Sequence, residues 1–126
     1  MSEKLKILVV DDNVNFLQLA QLALGNEDYE VFTAADGQEG FDFALKRRPD
    51  IILTDVMMPK ISGLEFLHML FSEEETKKIP VLVMTASHFD PSTEILFKME
   101  SNVKGFLQKP CSVDAMKEAI AAALKK

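Results

Sequence analysis

The sequence predicts an α/β domain built on a five-stranded parallel sheet with helices on both faces. Two observations carry this. Short, unbroken apolar runs alternate with amphipathic stretches at helical period, five times in succession. The runs lack the in-out polar alternation of a half-solvated sheet, so both faces of each strand must be covered, which is the habit of parallel sheets wrapped by helices.

The first run, Ile7–Val10, is strand-like and β-branched. Phe16, Leu19, Ala20, Ala23 and Leu24 follow at the i, i+3, i+4, i+7, i+8 spacing of a helix face, and Gly25-Asn26 reads as its stop. Glu30–Ala34 is predicted as the second strand. Gly37–Arg48 is predicted as a helix that turns Gly40, Phe41, Ala44 and Leu45 inward and ends at Pro49. Ile51–Thr54 is the third strand, and Gly63–Ser72 a helix with a wide apolar face of Leu64, Phe66, Leu67, Leu70 and Phe71. Pro80 opens the fourth strand, Val81–Met84. A helix is expected over Pro91–Ser101, with Pro91 where a missing N–H costs nothing. Gly105–Gln108 is a short fifth strand. Val113, Met116, Ile120, Ala123 and Leu124 mark a closing helix, with Lys125 and Lys126 at its negative end.

Size and composition narrow the function. With 126 residues the chain is expected to form one domain, 1–126. Its one cysteine, Cys111, forbids an internal disulfide and makes a cytoplasmic setting the default. The longest apolar run, Ala119–Leu124, is far shorter than the roughly 20 residues of a membrane helix, so no membrane partner is expected. Fourteen basic against twenty acidic residues give a net charge of −6, which disfavours binding to nucleic-acid backbones. No Gly-Lys-Ser/Thr phosphate loop and no Gly-x-Ser-x-Gly elbow is present, and His68 and His88 lack partners at metal spacing.

Right-handed crossovers point all five strands the same way, so their carboxyl ends share one rim, where ligands of such sheets bind. Asp11-Asp12 follow the first strand, Asp55 the third, Thr85-Ala86-Ser87 the fourth and Lys109-Pro110 the fifth. Taken alone, an Asp-Asp pair reads as a helix cap and a solvated turn. Taken together, three carboxylates, a hydroxyl and an ammonium on one rim suit phosphoryl transfer. Carboxylates so close either hold their protons more tightly or take a cation among them, and hard oxygen ligands suit Mg²⁺. Lys109 and Thr85 can each meet a phosphoryl oxygen, and a carboxylate would be the nucleophile.

These residues resemble the receiver domain of bacterial two-component response regulators. The resembling strings are Ile7-Leu-Val-Val-Asp11-Asp12-Asn13, Pro49-Asp-Ile-Ile-Leu-Thr-Asp55-Val-Met57-Met-Pro59, Ile61-Ser-Gly63, Val81-Leu-Val-Met-Thr85-Ala86 and Gly105-Phe106-Leu-Gln-Lys109-Pro110. The resemblance implies a doubly wound, flavodoxin-like (βα)5 fold of strand order 2-1-3-4-5. It implies Asp55 as phospho-acceptor, and Asp11, Asp12, Asp55 and the Met57 carbonyl as the Mg²⁺ set. It also implies Thr85, Ala86 and Lys109 around the phosphoryl group, a cis bond before Pro110, and Thr85 with Phe106 as the switch. The chain departs from the family in lacking a hydroxyl at Phe106, and in placing Asn102-Val103 where Gly-Ala is frequent in a turn.

The implied function is a phosphorylation-activated switch rather than an enzyme acting on a separate substrate. Its phosphodonor would be a sensor histidine kinase or phosphotransfer protein. Its output would be a downstream protein or a second receiver copy, met through the Pro91–Ser101 helix, the fifth strand and the closing helix, with Phe97 and Phe106 on that face. Three alternatives fit the sequence less well. A flavin or nucleotide binder of the same topology would need a Gly/Ser/Thr loop where Asp11-Asp12 stand. A hydrolytic aspartyl-phosphate enzyme would need a second acid two beyond Asp55. A degenerate receiver, binding partners without phosphate, is disfavoured because every expected polar residue is present. The chain reads either as a stand-alone regulator or as the receiver of a longer protein.

Overall fold

A computed structural model describes residues 4–25, 29–55, 63–85, 103–108 and 112–124. Five strands, β1 (Leu5–Val10), β2 (Tyr29–Ala34), β3 (Ile51–Asp55), β4 (Val81–Thr85) and β5 (Val103–Gln108), form one parallel sheet in the order β2-β1-β3-β4-β5. The described helices are α1 (Val14–Leu24), α2 (Gly37–Arg47), α3 (Gly63–Phe71) and a C-terminal helix, Val113–Leu124. The helix expected over Pro91–Ser101 lies outside the described residues.

Alternation along the strands divides the core into two layers. Ile7, Val9, Ile51, Leu53, Leu82 and Met84 meet α1 and the C-terminal helix through Leu17, Ala20, Leu24, Met116 and Ile120. Leu8, Val10, Ile52, Val81 and Val83 meet α2 and α3 through Ala44, Phe66, Leu67 and Leu70. Burial on both faces explains the unbroken apolar runs.

The helices start and stop on local chemistry. Asn13, in extended backbone, caps α1 by accepting the Phe16 N–H at 3.1 Å. Gly25 closes it with φ −65°, so handedness is not the reason for glycine there. A Cβ would sit 2.7 Å from the Gln21 carbonyl oxygen, which receives the Gly25 N–H. Asp36 caps α2 by accepting the Glu39 N–H at 2.8 Å, and Glu39 reaches back to accept the Ala35 N–H, a capping box displaced by one residue. Arg48 ends α2 in the left-handed region at φ 45°.

Four expectations shift. On α1, Leu19 is 55% exposed while Leu17, 7% exposed, takes the inward place, because the helix packs on the 17, 20, 24 row. Phe71 stands 47% exposed at the end of α3, where the helix runs past the sheet partners of Leu67 and Leu70. Asp55 and Thr85 are the last residues of their strands, paired with Met84 and Gln108, rather than the first residues beyond them. β5 begins at Val103, not Gly105: Val103 pairs with Val81 and packs on the core instead of standing in a turn. Gly105 pairs with Leu82, so Lys104 is an extra residue in β5, a bulge.

Candidate functional site

Strand order sets the site. The sheet grows from β1 toward β2 on one side and toward β3 on the other, so the switch point lies between the carboxyl ends of β1 and β3. Asp11 and Asp12 leave β1 there, and Asp55 ends β3 beside them. One carboxylate oxygen from each of Asp11, Asp12 and Asp55 lies within 4.8 Å of the others. The three differ in exposure: Asp11 is fully buried, Asp55 half-buried and Asp12 exposed.

Asp11 continues the sheet through its N–H, which donates to the Ala34 carbonyl at 3.0 Å. Its Oδ1 accepts the Asn13 N–H at 2.9 Å. Asn13 in turn accepts the Phe16 N–H on its side chain and the Leu17 N–H on its carbonyl, each at 3.1 Å. The cap of α1 is therefore Asn13, not the preceding acids. An Asn directly before an apolar run of helical period was the sequence signal for it. The first turn of α1 has no acidic residue, so the positive end of its dipole faces the acids without a competing charge of its own. On β3, the hydroxyl of buried Thr54 donates to the Asp55 carbonyl at 3.2 Å.

The donor set fits a hard divalent cation. Its atoms are all carboxylate oxygens, from two strand ends, and Asp12 and Asp55 are reachable from solvent. An octahedral Mg²⁺ with bonds of about 2.1 Å places opposite ligands about 4.2 Å apart, and the ion commonly keeps several waters. The 4.8 Å limit on the three oxygens is close to that span.

Of the other sequence-predicted residues, Phe106 lies half-buried on β5, in register with Val83 and packed on the α2/α3 layer. That register puts Phe106 one strand away from Thr85 and two residues before its backbone partner Gln108. His68 is on the exposed side of α3. Met57, Ala86, His88, Phe97, Lys109 and Pro110 lie outside the described residues, as does the side chain of Thr85.

Comparison with known proteins identifies the family and the fold. Residues 7–121 match the family model of the response regulator receiver domain. The chain is 33% identical over 121 residues to the alkaline phosphatase synthesis transcriptional regulatory protein PhoP of Bacillus subtilis, covering 96% of this chain and 49% of PhoP. It is 30% identical to the response regulator ArlR of Staphylococcus aureus, covering 96% of this chain and 53% of ArlR. The chain thus spans about half the length of these relatives. Among solved structures, the chemotaxis response regulator CheY4 of Vibrio cholerae superposes with a TM-score of 0.88 at 31% identity, over 97% of this chain and all of CheY4.

Proposed function

The chain belongs to the response regulator receiver family, and from that premise we propose that it is a phosphorylation-activated signalling switch whose acceptor is Asp55. The observation that carries the assignment is the convergence of Asp11, Asp12 and Asp55 at the switch point of the sheet. Asp55 is the member of the set that ends a strand half-exposed, where a donor can reach it.

In the proposed reaction an Asp55 carboxylate oxygen attacks the phosphorus of a phosphohistidine. The P–N bond breaks, its electron pair leaves with the imidazole, and an aspartyl phosphate forms. With acetyl phosphate as donor the P–O bond breaks and acetate leaves. Asp11, Asp12 and Asp55 would hold Mg²⁺ together with, by resemblance, the Met57 carbonyl. When bound, the ion supplies the positive charge that lets an anionic phosphoryl group approach three carboxylates. Lys109 and the small residue Ala86 border the phosphoryl group in this reading, a cis bond is expected before Pro110, and Thr85 engages a phosphoryl oxygen.

Engagement of Thr85 is read out by Phe106. Phe106 packs against the same core layer as Val83, the residue two before Thr85, so a shift at the end of β4 is felt at the ring. The output face comprises Phe106, Phe97 and the C-terminal helix, and its partner is a downstream protein or a second receiver copy. The donor is a sensor histidine kinase or a phosphotransfer protein. The fold serves as one receiver domain over 1–126 and works in the cytoplasm; among the described residues no helix is long and apolar enough to cross a membrane.

The test is phosphate uptake from acetyl phosphate, followed by intact mass. Wild type is expected to gain one phosphoryl group only with Mg²⁺ present, and Asp55→Asn none. Uptake by Asp55→Asn at the wild-type rate, or uptake undiminished by a chelator, overturns the assignment.

A further inference from the structure

We propose that Asn13 is a positioning residue for the acidic site: it couples the start of α1 to the orientation of the Asp11 carboxylate. The inference rests on the Mg²⁺ reading above and concerns a residue that does not itself hold the ion.

The case begins with a conflict. Three carboxylates within 4.8 Å repel one another, and side chains free to turn would swing apart. Asp11 is fully buried, so it cannot relax into water. On the helix side its Oδ1 accepts the Asn13 N–H at 2.9 Å. A backbone donor is only as well aimed as the peptide that carries it, and Asn13 is not inside a helix; its φ of −88° and ψ of 103° are extended. Two bonds anchor it: the side-chain oxygen takes the Phe16 N–H, and the carbonyl takes the Leu17 N–H. The amide of Asn13 therefore ties the first turn of α1 to its own backbone, and that backbone aims at Asp11.

Charge explains why a neutral cap suits the position. Aspartate caps a helix as well as asparagine, but here it would add a fourth negative charge beside three. Asn13 caps without that charge and leaves the positive end of α1 directed at the acids.

The predicted effect is that of loosening a group that orients a ligand, for which losses of 10- to 100-fold in metal affinity are typical. The donor is displaced rather than deleted, so Asn13→Ala is expected to weaken Mg²⁺ about 10-fold. Asn13→Ser restores a capping oxygen and is expected to bind within about 3-fold of wild type. Mg²⁺ affinity is read from calorimetric titration and from the rise in melting temperature with Mg²⁺, and phosphate uptake is recorded alongside. Thr76→Val serves as the control for stability alone. It removes a buried hydroxyl that donates to the Leu70 carbonyl, in the α3–β4 connection rather than at the acidic cluster, and should leave Mg²⁺ affinity unchanged. Should Asn13→Ala not fold, Asn13→Gly replaces it, because glycine is nearly as good a cap while freeing the backbone; it too should bind weakly. Unchanged affinity in the Ala or Gly variant, or no rescue by Ser, overturns the role of Asn13. Absence of Mg²⁺ binding in wild type instead overturns the metal reading on which it rests.

Discussion

One methyl group added at Gly40 should destabilise the fold and disturb the acidic site from behind. Gly40 is buried on α2, where the helix crosses β1. A Cβ there would lie 2.9 Å from Val10 Cγ2 and 3.3 Å from both Val10 Cγ1 and Phe66 Cζ. Carbon atoms prefer about 3.5–4.0 Å. Val10 and Phe66 are fully buried, so neither has room to yield. A χ1 turn of Val10 that puts its hydrogen at the 2.9 Å position still leaves a methyl at the 3.3 Å position, beside Phe66 Cζ at 3.3 Å, and turns the other methyl into a packed core. Overpacking of this kind costs about 1–3 kcal/mol, while replacing a helical glycine with alanine returns about 0.5–1 kcal/mol. The expected net loss is about 1 kcal/mol, which for 126 residues corresponds to a fall in Tm of about 4 °C. Val10 directly precedes Asp11, so Mg²⁺ affinity should fall as well. Thermal and urea melts of wild type, Gly40→Ala, Val10→Ala and the double variant complete a cycle. A coupling of about 0.5 kcal/mol or more, with the double variant milder than the sum, is expected. A Gly40→Ala protein at least as stable as wild type, with no coupling to Val10, refutes the close approach.

Further outcomes follow from other parts of the molecule. Arg48 holds a left-handed φ of 45° at the end of α2, so Arg48→Gly is expected to raise stability by about 0.5–1 kcal/mol in urea melts. Asp12→Ala should abolish most of the Mg²⁺-induced rise in Tm while leaving the metal-free protein as stable as wild type or slightly more so, since it removes one of three clustered charges. Phe66→Ala, which empties a fully buried position between α3 and β1, should cost about 3–5 kcal/mol. The Lys77 ammonium, bonded to Glu74 at 2.9 Å, holds the Glu74 carboxyl below its ordinary range. A depressed carboxylate contributes above its unfolded pKa and loses that contribution as pH falls through the folded value. Glu74 is fully exposed, however, so Lys77→Ala should move its NMR titration upward without changing the urea midpoint at pH 7.

Sequence alone determined the class of fold and the members of the acidic site. Apolar runs such as Ile7–Val10 and Ile51–Leu53 are legible because burial on both faces removes every polar residue from them, and Asp11, Asp12 and Asp55 are legible because an acid ends each run abruptly. Periodicity also found α1, yet it put Leu19 inward where Leu17 belongs, because 3.6-residue spacing leaves neighbouring rows of a Leu-rich helix nearly equivalent until a partner chooses between them. The tertiary structure made that choice by packing Leu17, Ala20 and Leu24 on Ile7, Val9 and Val31. It likewise extended β5 back to Val103, since pairing with Val81 requires a partner strand that local sequence does not contain. The spacing of the carboxylates and the aim of the Asn13 N–H at Asp11 were also tertiary decisions: a motif names which residues converge, but distances depend on strand order and on how α1 is capped against the end of β1.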